Sequence, residues 1–121
     1  MKVAASAFPL TAAALLSGCT RPQAFDSEAW KADALTERHQ LASVRRNMLP
    51  AIERRFPKGT DRSAVLAALG PADESGSGFC ELRPPLDSCL VYDLGIESAD
   101  YDFYVFEFAN GRLVHSYFRP T

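Results

Sequence analysis

The sequence is poor in residues that usually carry chemistry: it has three cysteines and two histidines in 121 residues. No Cys-x-x-Cys pair is present. His39 and His115 lie far from the cysteines and from each other, so the spacing argues against a zinc site. The sequence also lacks a G-x-S-x-G elbow, a glycine-rich phosphate loop and an H-E-x-x-H helix. A nucleophile of the Ser–His or Cys–His kind would have to draw on His39 or His115. His39 falls on a charged helix face, and His115 falls in a strand beside Ser116 and Tyr117. A strand histidine is more often packed or exposed than catalytic. The reading is therefore of a non-enzyme with no metal and no cofactor. The net charge of −2 offers no electrostatic footprint for nucleic acid. No polybasic run would hold anionic lipid unaided, and no internal repeat is visible.

What is present begins at the first residues. Lys2 supplies a positive start, and Val3 to Leu16 is an apolar stretch too short to span a bilayer comfortably. A core helix would need a polar face, which this stretch lacks. Residues 1–18 therefore read as a signal peptide. Its end, Leu16-Ser17-Gly18-Cys19, resembles the lipobox of bacterial lipoproteins. That resemblance implies a diacylglyceryl group on the Cys19 sulfur, cleavage before it, and an acylated N-terminus. Thr20, standing where an aspartate would favour inner-membrane retention, implies an outer-membrane location on the periplasmic face. Several acyl chains make such an anchor stable where one does not. Removing residues 1–18 takes away Lys2, so the charge passes from −2 to −3, and leaves 103 of the 121 residues, enough for one domain. Residues 19–25 are expected to be a lipidated tether and residues 26–121 the domain.

With Cys19 acylated, Cys80 and Cys89 remain as a pair. An oxidising compartment makes a disulfide their expected state. Pro84-Pro85 between them suits a loop joining strands. Closing about ten residues should contribute roughly 2–3 kcal/mol in the chain-entropy model.

From Asp26 or Thr36 onward the chain reads as helical. Leu41, Val44, Met48 and Ile52 recur at steps of three and four, while Arg38, Arg45, Arg46 and Glu53 lie off that stripe. Pro50 either kinks one long helix or starts a second in its first turn. Phe56-Pro57-Lys58-Gly59 ends the segment. In the next helix Asp61 is placed as N-cap, Val65, Leu66 and Leu69 form the buried face, Gly70 sits at C′ and Pro71 blocks continuation. Ala64 stands where a capping box would have its glutamate. Residues 73–78 read as a polar, flexible loop.

The remainder alternates as strands do. Leu90, Tyr92 and Leu94 alternate with Val91 and Asp93. Tyr104, Phe106 and Phe108 alternate with Phe103, Val105 and Glu107. Asn110-Gly111 is a hairpin signal, and Arg112 to Phe118 is the returning strand. A two-residue turn would set Phe106 opposite His115 and Tyr104 opposite Tyr117. A three-residue turn with a bulge would put Val114, Ser116 and Phe118 on that face, and a one-residue slip reverses every side chain. Glu97, Asp100 and Asp102 form an acidic cluster between strands; without an EF-hand spacing it reads as a solvated turn.

The segment Gly59 to Asp73, GTDRSAVLAALGPAD, resembles the G-M-[ST]-x-x-x-V-x-x-x-L-G-x-P motif of the SmpA/OmlA (BamE-like) outer-membrane lipoprotein family. Gly59, Val65, Leu69 and Gly70 are in register, and Asp61 stands at the cap position. Thr60 replaces the usual methionine, and Pro71 directly follows Gly70. Tyr92 to Gly95 fits a middle strand, and Phe106 to Gly111 the strand and turn before the last. The resemblance implies an α+β fold: two helices on one face of a three-stranded antiparallel sheet, a layout also found in β-lactamase inhibitor proteins. Helices preceding a run of strands agree with that class.

Such a sheet leaves one face open, and the last two strands are rich in aromatics. The aromatics on that face are either surplus core or a partner surface; on the second reading Phe103, Val105 and, with a two-residue turn, Phe118 are the candidate partner surface, because contiguous exposed apolar residues often mark binding sites. The expected function is a lipid-anchored protein-interaction module of the envelope, held to the membrane through Cys19 and binding an envelope protein. The alternatives are an inhibitor or sensor of a soluble periplasmic enzyme, and a small hydrolase using His115.

Overall fold

The computed structural model describes residues 24–33, 44–73, 80–97 and 100–120. The expected signal peptide, Cys19, Thr36, Arg38, His39, Leu41 and residues 74–78 lie outside the described residues. Among the described residues, four helical segments are followed by three strands: α1 Ser27–Asp33, α2 Val44–Asn47, α3 Leu49–Arg55, α4 Arg62–Leu69, β1 Ser88–Glu97, β2 Asp100–Ala109 and β3 Arg112–Pro120. The strands form one antiparallel sheet in the order β1-β2-β3. The fold class is α+β, with short helical pieces where two helices were expected. Tyr92–Gly95 falls on an edge strand, and the middle position belongs to β2. None of the helices among the described residues is long and apolar enough to cross a membrane.

The helix-side core gathers Trp30, Met48, Ile52, Phe56, Val65, Leu69, Leu90, Tyr92, Leu94, Tyr104, Phe106, Phe108 and Leu113. The strand members come from alternate positions, as period-two burial requires. Val65 and Leu69 are buried as expected, and Leu66 is half-buried at the margin. Phe25 packs edge-on against Phe56 with ring centroids 6.1 Å apart. Phe25, expected at the end of the tether, thus packs against the helix-side core.

α1 starts on Asp26, whose side chain accepts from the Ala29 N–H at 3.1 Å. Trp30 is its fully buried anchor. The expected stripe Val44–Met48–Ile52 holds only for Met48 and Ile52, both fully buried; Val44 is 39% exposed. Arg45, expected off the stripe, is the buried member of α2. Met48 breaks the helical run, and Pro50 lies in the first turn of α3, where a missing N–H costs little.

Asp61 occupies the N-cap of α4 without a side-chain capping bond. Its carboxylate instead lies 3.4 Å from Arg112 Nη1, an exposed pair. The helix N-terminus is held through backbone: Arg62 N–H donates to Gly111 O, Gly59 N–H to Leu113 O, and Leu113 N–H to Thr60 O, each at 2.8 Å. Gly70 ends the helix with φ 79° and donates to Leu66 O.

The outer edge of β1 is covered from Val91 to Leu94. Asp73, expected in the flexible loop, donates from its backbone to Val91 O at 2.9 Å and accepts from Asp93 N–H on its side chain at 2.9 Å. Arg45 Nη1 donates to Asp93 O and Arg46 Nη2 to Leu94 O. Asp102 is buried and paired with Arg46 at 2.9 Å, which removes it from the solvated acidic turn expected there.

The hairpin at Asn110-Gly111 has two residues, both at positive φ (52° and 78°), as the turn that matches strand twist requires. The ladder then shifts: Phe108 opposes Leu113, but Glu107 opposes His115. Val114 is the extra residue of a β-bulge. Ser116 and Phe118 consequently oppose Phe106 and Tyr104, the side assignment expected from a three-residue turn.

Candidate functional site

The face of the sheet away from the helices carries a second, smaller core: Cys80, Cys89, Val91, Phe103 and Val105, with Leu82 and Tyr117 packed at its edge. Segment 80–87 covers it, tied by the Cys80–Cys89 disulfide with Cα atoms 6.7 Å apart. Phe103 and Val105 are therefore interior, at 6% and 0% exposure. Phe118 points to the helix side, is 42% exposed, and has the Arg46 guanidinium 6.0 Å from its ring. The three residues expected to share one exposed surface are split between the two faces. The cause is the pair of features that alternation could not show: a strap over the outer face and a bulge that reassigns Phe118.

What the outer face does present is polar. Glu107 is a side chain at 4% exposure on an otherwise apolar stripe. The bulge at Val114 sets His115 directly opposite it, where a regular two-residue hairpin would have placed Val114. Bulges commonly re-aim side chains in this way. His115 Nε2 approaches Glu107 Oε1 to 2.5 Å, and the Tyr117 hydroxyl donates to Glu107 Oε2 at 2.9 Å. The His115 and Tyr117 rings meet edge to face at 5.7 Å. Burying a carboxyl group without partners is costly; here both oxygens are engaged. Glu81 of the strap and Arg119 of β3 complete an open depression of about 540 Å³ lined by Glu81, Glu107, His115, Tyr117 and Arg119.

Burial first, and then the bond and charge of Glu107, push the Tyr117 phenol up to about 12, against the opposing influence of Arg119. The phenol is thus held as a hydrogen-bond donor across the ordinary pH range. Ser116, the sequence neighbour of His115, faces the other way and shares a 2.9 Å hydrogen bond with the Tyr104 hydroxyl. No group of three or more histidine, cysteine, aspartate or glutamate side chains among the described residues is arranged to hold a metal ion.

Of the residues singled out from sequence, the structure brings Cys80 to Cys89 and places His115 in the depression. Motif and periodicity do not place Glu107, Tyr117, Glu81 and Arg119 there. One signal exists: on the Phe103–Val105 side of β2, Glu107 is the lone acid among aromatic and aliphatic residues. Family models, curated proteins and solved structures give no match to this chain.

Proposed function

We propose that this protein is a lipid-anchored, non-enzymatic interaction module of the bacterial envelope, similar in kind to the SmpA/OmlA (BamE-like) lipoproteins of the outer membrane. The observation that carries the reading is Leu16-Ser17-Gly18-Cys19 at the end of an apolar leader, ahead of an α+β domain. The order of helices before three antiparallel strands supports it. So do the motif positions. Gly59 and Gly70 both have positive φ, and Val65 and Leu69 are both buried. These are the physical roles that a glycine-bounded helix with an apolar face demands.

On this reading the acyl group on Cys19 confines the domain to a membrane surface, which raises its effective concentration toward a membrane-bound partner. The outer-face depression around His115 is the feature offered to that partner, in place of the Phe103–Val105–Phe118 surface. His115, engaged by Glu107 with Ser116 turned away, acts there as a contact residue rather than a base. Fractionation of cells expressing the Cys19→Ser variant, with metabolic acyl labelling, tests the anchor. The variant is expected to lose the label and leave the membrane fraction; full membrane retention of unlabelled variant would falsify the lipoprotein reading.

A further inference from the structure

Among the described residues, few contacts order the strap of residues 80–87. Its far end is fixed by Asp87 N–H donating to Phe108 O at 2.9 Å and by Asp87 Oδ2 accepting from Asn110 N–H at 3.0 Å. Between there and Cys80, Leu86 N–H bonds within the strap, to Arg83 O, and among the described residues of the strap Leu82 is the partly buried apolar side chain packed on the outer core, with Leu86 half-buried outside that cluster. The near end is held by the disulfide. Every ordered residue costs backbone entropy, and this strap returns little packing against that cost. The cross-link therefore decides whether the strap stays down.

What lies beneath is separate from the main core. Val91, Phe103 and Val105 are on the outer face; the thirteen residues of the helix-side cluster are on the other, with the sheet between. Lifting the strap uncovers the first set without touching the second.

We propose that the Cys80–Cys89 bond is a latch on the outer face: thiol–disulfide exchange with a dithiol lifts the strap and exposes the Val91–Phe103–Val105 stripe while the helix-side core stays closed. In the exchange, one thiolate of the dithiol attacks a sulfur of the bond and forms a mixed disulfide. The second thiolate then displaces the bound cysteine. The dithiol is oxidised to a disulfide by two electrons, Cys80 and Cys89 are reduced to two thiols, and the two protons pass to them. Both cysteines are nearly covered, at 2% and 5% exposure, which slows attack on the bond and preserves the closed form until a dithiol reaches it. The proposal is independent of the anchor, since it concerns the domain with or without Cys19 acylated.

Trp30 makes the test selective. It is the single tryptophan of the chain and sits fully buried in the helix-side core, so its emission reports that core alone. The full-length protein in detergent is treated with dithiothreitol, and three signals are followed: glutamyl endopeptidase cleavage after Glu81, binding of an anilinonaphthalene dye, and Trp30 emission. Reduction is expected to speed cleavage at least tenfold and raise dye binding several-fold, with the Trp30 maximum unmoved and with reversal on reoxidation. A Leu82→Ala variant with the disulfide intact is expected to remain protected. A red shift of Trp30 that accompanies cleavage would show the domain melting as one unit and overturn the latch. Unchanged cleavage and dye binding after complete reduction, verified by alkylation of both thiols, would equally overturn it, since contacts alone would then hold the strap. Rapid cleavage of oxidised Leu82→Ala would assign the closure to packing instead of the bond, and the latch would fall on that result too.

Discussion

Arg45 lies beneath Trp30, its Nε donating to the Trp30 carbonyl at 3.0 Å and its guanidinium 4.8 Å from the indole centroid. The same side chain reaches Asp73 at 2.6 Å and the Asp93 carbonyl at 3.0 Å. One arginine thus joins α1, α2, the segment after α4 and the edge of β1. It is 2% exposed, and Asp73 is 10% exposed, so the pair is desolvated and geometrically well satisfied. Removing one member of such a pair leaves the other charge buried, which is worse than never having had the pair. Arg45→Ala should therefore cost about 3–5 kcal/mol in a urea titration. Trp30 emission should shift to the red at lower denaturant than in the wild type. A loss under about 1 kcal/mol, the range of an exposed pair, would mean that Arg45 is merely a surface cation.

How far the sequence could be read depends on which interactions are local. α4 is bounded by its own residues, Asp61, Gly70 and Pro71, and its apolar spacing places Val65 and Leu69 in the core without any long-range knowledge. The place of the hairpin turn is likewise local, because Asn110-Gly111 tolerates the positive φ such turns need, but its length of two residues rather than three is not fixed by those two residues. The face of Phe118 is not local. It depends on Val114 being absorbed as a bulge, which is decided by whether His115 or Val114 pairs best with Glu107 on another strand. Arg45 escapes sequence reading for a related reason. Helical periodicity marks it as a polar residue beside a stripe, and only the tertiary arrangement supplies Asp73 and two carbonyls to receive its charge. Alternation does assign Phe103 and Val105 to the face opposite the helices. Their burial comes from a strap that alternation does not describe.

The Tyr117 phenol couples the outer face to alkaline pH. Its folded pKa is raised from 10.0 to about 12, chiefly by burial and then by Glu107. A group whose folded pKa is raised contributes stability that is fully present below its unfolded value and is lost as pH rises through the folded one. The window is thus pH 10 to 12. Below pH 10, Tyr117→Phe should be less stable than wild type by about 1–3 kcal/mol, since Glu107 Oε2 loses its donor. Between pH 10 and 12 the two proteins should converge as the wild-type phenol ionises. Tyr92 and Tyr104, also raised by burial, are present in both proteins and cancel in the comparison. A difference that stays constant across that window, measured by denaturant titration at each pH, would separate Tyr117 ionisation from the stability of this face.

The bulge makes a sharper prediction, because it separates two deletions that look alike in sequence. Val114 is the residue that β3 has in excess of β2 between the pairs Phe108–Leu113 and Glu107–His115. Deleting Val114 lets His115 follow Leu113 in a regular ladder, with every pair beyond it preserved. Leu113 stays on the helix side, His115 and Tyr117 stay against Glu107, and Ser116 stays against Tyr104. The loss should be only the bulge's extra twist, and stability should fall by about 1 kcal/mol, the centre of the range for ordinary single changes. Deleting Ser116 instead shifts Tyr117, Phe118 and Arg119 by one position, and a one-residue shift turns each of them to the opposite face. Tyr117 then leaves Glu107, and Phe118 is driven toward the strap. That variant should lose several times more stability than the Val114 deletion and should lose the alkaline transition of Tyr117 as well. The deciding measurement is the urea midpoint of each deletion, compared with wild type at neutral pH and again in the alkaline window. Equal destabilisation by the two deletions would show that the register of β3 is held by something other than the Glu107–His115 pairing across the bulge.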